Sequence, residues 1–196
     1  MIKEDFDIIN KNMEILVGKE MRKPIRGGSM LDLGFGDMIK KQTRRFDENK
    51  EIVMKMVEVS RYAIHISSTF RFICGYDIII NKDYMFTPSN KYIQENKINE
   101  DNYDEEKFNI DWDIKGNNAF DETVDKYFPN NEFKFIVKDA KINRFGDLKI
   151  IFENGFTFET FTDLNGDYEC WRFFEVGSDK HIVISSVGLD KESIEE

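Results

Sequence analysis

The chain has 196 residues, enough for one domain-sized core or for two small lobes packed together. Its formal net charge is −10, which opposes broad contact with phosphate backbones, so no nucleic-acid partner is expected. The apolar runs are short and interrupted, FRFIC by Gly75 and Asp77 and DIII by Asn81 and Lys82, so no membrane span is expected.

The start, MIKEDFDIINKN, lacks the apolar stretch of a secretory signal, which makes the cytoplasm the expected compartment. Phe6, Ile9, Met13 and Leu16 recur at a 3-4-3 spacing and predict an N-terminal amphipathic helix. KEMRKPIRGGSMLDLGFGD follows, and its proline and four glycines argue against a continuous regular element. Residues 37 to 58 are mostly charged and are expected to hold a short second helix.

From Arg61 the period becomes two. Tyr62, Ile64 and Ile66 share one face of a half-buried strand, with Arg61, Ala63, His65 and Ser67 on the other. FRFIC and DIII are two further strands. Residues 88 to 131 are polar and acidic, with one helix in AFDETVDKYF capped by Asn118 or Asp121. FKFIVKDA, DLKIIFE, FTFETFT, YECWRFF and HIVISS then form an antiparallel meander, with Asn154-Gly155 predicting a type I′ hairpin turn.

The expected fold is α+β, predominantly antiparallel β, with an N-terminal helix and two similar lobes. The expected divisions are an α+β lobe over 1–90, an acidic connection over 91–131 and a β meander over 132–190. A weak internal repeat supports the duplication: FGD occurs at 35–37 and 145–147, and TFRFICGYDIII resembles CWRFFEVGSDKHIVI. On that reading the two FGD segments are equivalent turns.

Several motifs resemble functional sites. In SMLDLGFGDM, residues Leu31 to Gly36 fit part of the Gly-rich methyltransferase turn, but the third glycine position is Met38 and no good strand precedes it, so a plain loop is expected. DWDIKGNNAFDE places Asp111, Asp113, Gly116 and Glu122 at EF-hand positions, yet Lys115 occupies a ligand position; an acidic turn before a helix is the better reading. Cys74 and Cys170 belong to no CxxC pair and read as reduced thiols. His65 and His181 lack a nucleophile at a diagnostic offset, and neither a metal nor another cofactor is expected. Arg71 and Arg172 each lie between aromatics, with Asp77 and Asp179 as expected ion-pair partners.

The segments GDLKIIFENGFTFETF, ECWRFF and HIVIS resemble a family of uncharacterised bacterial proteins, and strand-turn-strand blocks ending in Trp-Arg also occur in small immunity-like proteins. The resemblance implies no catalytic residue. The expected function is a non-enzymatic cytoplasmic binding protein with a protein partner, in its most concrete form an acidic immunity-type inhibitor that Asp101, Asp104, Glu105 and Glu106 help to steer onto a basic toxin. The alternative is a small-ligand-binding or hydrolytic domain with its site at the lobe interface, around His65, Arg71, Trp171, Arg172 and His181. That alternative requires these five side chains to converge on one cleft.

Overall fold

The computed structural model describes residues 3–46, 51–99, 110–128 and 134–191. Helix α1 spans Lys3–Met13 and continues into a 3-10 turn over Glu14–Leu16. Its 3-4-3 stripe buries Ile9, Met13 and Leu16 completely. The strands are β1 (Glu20–Met21), β2 (Ile25–Gly27), β3 (Met30–Phe46), β4 (Ile52–Ile66), β5 (Phe70–Cys74) and β6 (Asp77–Asn81), followed by helices α2 (Asn90–Glu95) and α3 (Ala119–Tyr127). The chain then continues through β7 (Phe135–Ile142), β8 (Leu148–Phe152), β9 (Phe156–Thr160), β10 (Glu169–Glu175), β11 (His181–Ser185) and β12 (Gly188–Leu189).

The strands form a sheet in the order β12-β11-β10-β4-β3-β1-β7-β8-β9-β5-β6, with β2 beside β3, and every pairing is antiparallel. The fold is α+β and predominantly antiparallel β. Strands of the two segments expected as lobes lie side by side: β10 beside β4, β7 beside β1, and β9 beside β5. One hydrophobic cluster joins α1, α3 and both ends of this order, including Leu33, Ile64, Phe72, Phe120, Ile150, Phe158, Trp171 and Ile184.

The crossing from β4 to β5 is fixed by buried polar groups that all find partners. Ser67 and Ser68 donate their backbone N–H groups to the Cys170 carbonyl at 2.9 and 3.1 Å, and the Ser68 and Thr160 hydroxyls lie 2.9 Å apart. Cys170 is a buried free thiol and Cys74 a half-buried one; burial pushes the Cys170 thiol above its ordinary value.

Four local expectations are corrected. SMLDLGFGDM is neither a loop nor a cofactor turn: from Met30 on it runs within β3, where Gly36 at φ +79° makes a bulge between Phe35 and Met38 and lets the strand continue. Among the described residues of 37–58 there is no helix: residues 37–46 and 52–58 pair as β3 and β4 in an exposed ribbon, where β-branched residues such as Ile39, Val53 and Val57 favour the extended backbone. The Asn154-Gly155 turn is not type I′, since only Gly155 has a positive φ (+87°); the Gly155 N–H reaches the Phe152 carbonyl at 3.1 Å, the arrangement of a type I turn closed by a left-handed glycine. The FGD segments are not equivalent turns, because the second closes a turn through the Gly146 N–H to the Asn143 carbonyl at 3.0 Å while the first is the bulge. The two longer repeat blocks do share a form: β5–β6 and β10–β11 are both antiparallel hairpins.

Candidate functional site

Register assembles a cluster of titratable side chains on one face of β3, β4, β10 and β11. Asp32 stands opposite His65, His65 opposite Arg172, and Phe174 opposite both Ala63 and His181. His65 Nε2 lies 3.8 Å from Asp32 Oδ2. Its ring meets Phe174 edge-on at 4.8 Å, and His181 stacks on the other side of Phe174 at 4.7 Å. Arg172 Nε donates to Glu169 Oε1 at 2.6 Å, and this carboxylate holds the guanidinium charged.

Burial dominates the protonation of the central pair. It pushes His65 below its ordinary value, helped by the charges of Arg172 and His181 and opposed by Asp32 and Glu169. Burial likewise raises Asp32, against the pull of His65. Burial thus disfavours the charged form of both groups, while each partly offsets that effect in the other.

The five residues expected around one cleft separate into two groups and a buried anchor. His65, Arg172 and His181 come together around Phe174. Trp171 lies on the opposite face of β10, fully buried, with Nε1 donating to the Gly146 carbonyl at 2.9 Å. Arg71 lies on β5, separated from β10 in the strand order, where Glu159 accepts from its Nε and Nη2 at 2.8 and 2.6 Å and Lys149 reaches the same carboxylate at 3.0 Å. Burial raises Glu159, but the hydrogen bonds and charges of Arg71 and Lys149 outweigh it and hold the carboxyl below its ordinary value. The expected partners Asp77 and Asp179 are thus replaced by Glu159 and Glu169. Glu159 sits directly across from Arg71 in register, whereas Asp77 stands across from Cys74.

The EF-hand lookalike is used internally. Asp111 Oδ1 accepts the Asp113 N–H at 3.0 Å, Glu122 accepts the Asn90 N–H at 2.9 Å, and Asp121 binds Arg26. Asn118 caps α3 by accepting the Asp121 N–H at 2.9 Å. Among the described residues no three His, Cys, Asp or Glu side chains are grouped to hold a metal.

Sequence reasoning missed the ribbon that β3 and β4 form beyond the bulge. Nine register pairs run from Met38–Ser60 to Phe46–Ile52, and among the described residues no other strand flanks this stretch. Met38, Ile52, Met54 and Met56 are 45, 64, 54 and 62% exposed on it. At its base a groove of about 580 Å³ is lined by Ile25, Lys41, Val57, Val59, His65 and Phe174, among others. The β-branched and apolar richness of IVMKMVEVS carried the signal, but the charge density of residues 37–58 pointed away from a strand. The acidic residues 101–106 lie outside the described residues.

Among the described residues no helix is long and apolar enough to cross a membrane. No family model, curated protein or solved structure matches the chain.

Proposed function

We propose that this is a non-enzymatic binding protein whose partner is another protein, held on the β3–β4 ribbon. The carrying observation is the exposure of Met38, Ile52, Met54 and Met56 on a ribbon with no flanking strand among the described residues. A two-stranded ribbon is marginal alone in water, and flexible apolar methionines suit a contact surface. In its most concrete form the protein is an acidic immunity-type inhibitor acting in the cytoplasm, and the net charge of −10 supports a basic partner.

The test places a photo-crosslinking residue at Met54 in the source cell, then purifies the adduct partner and measures its affinity directly. The expected result is one discrete adduct, with binding weakened at least tenfold by Met56→Lys and unchanged by Ile114→Lys, a change at another exposed apolar position. Affinity unaffected by Met54→Lys and Met56→Lys together would refute the ribbon as the contact surface.

A further inference from the structure

We infer that the outer edge of β4 pairs with the same edge of a second copy of this chain, giving a symmetric antiparallel dimer. This rests on the reading of the ribbon as a contact surface, but it uses the ribbon's edge rather than its exposed side chains. Strand β10 pairs with β4 only over Tyr62–Ile66, which leaves residues 52–60 without a strand partner on that side among the described residues. Unpaired N–H and C=O groups along an edge are a template for another strand.

The charge pattern selects the occupant and the edge. The free stretch of β4 has Met56 at its midpoint, so a two-fold axis there uses its full length. It sets Met56 against its own copy, Lys55 against Val57, Met54 against Glu58, Val53 against Val59 and Ile52 against Ser60. No like charges oppose each other, and on one face Val53 and Val59 of the two copies pair on either side of the central Lys55–Val57 pairs. The same operation on the free edge of β3, centred on Gln42, sets Lys40 against Arg44 twice. Opposed cations in a sheet repel, so the β3 edge is protected against self-pairing while the β4 edge, with Lys55 as its one cation, suits it. A dimer formed this way is a four-stranded sheet in the order β3-β4-β4-β3, which gives the free stretch of β4 a strand neighbour.

Sedimentation of the unmodified protein between about 1 and 100 µM reads the assembly directly, over the range in which weak self-association is resolved. Met56→Cys in a Cys74→Ser background then reads the register under mild oxidation, with Cys170 buried. The expected results are a concentration-dependent dimer and a rapid covalent dimer through position 56. Gln42→Cys, placed opposite Met56 on β3, should stay monomeric under the same oxidant, because three strand spacings put the two copies of position 42 about 14 Å apart, beyond disulfide reach. A monomer throughout the concentration range overturns the proposal, as does a dimer that cross-links through position 42 in preference to 56. Neither result changes the affinity of the Met54 adduct partner, so the two readings fail separately.

Discussion

Arg26 reaches Asp121 from 95 positions away in sequence, with Nε–Oδ1 and Nη2–Oδ2 at 3.2 and 3.1 Å. The two side chains are 7 and 12% exposed. Arg26 Nη2 also donates to the Trp112 carbonyl, and Asp121 accepts the Gly116 N–H and the Asn118 amide, so one ion pair ties β2, the 111–118 turn and α3 together. Arg26→Ala is expected to cost about 3 kcal/mol in denaturant unfolding, because it leaves a shielded carboxylate unpaired. Arg26→Met with Asp121→Leu should cost less than Arg26→Ala alone; an equal or greater loss would contradict the pairing.

The same carboxylate makes a pH prediction. Burial raises Asp121, but its hydrogen bonds to Arg26, Gly116 and Asn118 together with the Arg26 charge outweigh that effect and hold it below its ordinary value of 3.8. Its contribution to stability is then fully present above that value and lost as pH falls through its lower folded-state value. Glu159, held down by Arg71 and Lys149, acts in the same direction. Acid unfolding followed by circular dichroism should show Asp121→Asn losing part of the wild-type decline in stability below about pH 4.

His65 should titrate below 6.5, and its neighbours should move it in opposite directions. Removing the Asp32 charge by Asp32→Asn lowers the midpoint further, whereas Arg172→Gln raises it, since Asp32 raises and Arg172 lowers the value. Because the folded-state value is depressed, His65 contributes stability present above 6.5 and lost as pH falls through its folded-state value. Nuclear magnetic resonance of the two histidine rings separates these outcomes; shifts of the same sign in both variants would remove the cluster as an electrostatic unit.

Gly34 is fixed by close approach. A Cβ there would stand 2.5 Å from Ser60 Oγ and 2.9 Å from Ser60 Cβ, at the base of the ribbon. Gly34→Ala is expected to cost about 2 kcal/mol, typical of overpacking. Adding Ser60→Gly should recover a large part of it. Thermal unfolding of the double variant no better than that of Gly34→Ala would show that the strain lies elsewhere.

Trp171 acts as an anchor, so Trp171→Phe should cost about 2 kcal/mol through lost volume and an unpaired Gly146 carbonyl, without weakening the ribbon partner. A loss of affinity in a variant that stays folded at the assay temperature would place Trp171 in the binding surface instead.

The sequence by itself determined what local periodicity can encode. The 3-4-3 spacing of Phe6, Ile9, Met13 and Leu16 marked α1; alternation around Ile64 marked the end of β4, and the aromatic runs around Phe72 and Trp171 marked β5 and β10; the cap of α3 was narrowed to Asn118 or Asp121, of which Asn118 serves. Tertiary structure decided everything that depends on register between distant strands. The bulge at Gly36 turned an apparent loop into the middle of β3, and the long pairing of β3 with β4 turned a charged segment into a ribbon. Arg71 took Glu159 rather than Asp77, and Asp32 met His65, because cross-strand neighbours are set by pairing rather than by distance along the chain. A residue's face can be read from its own segment, but its opposite neighbour belongs to another segment, and only the assembled sheet brings the two together.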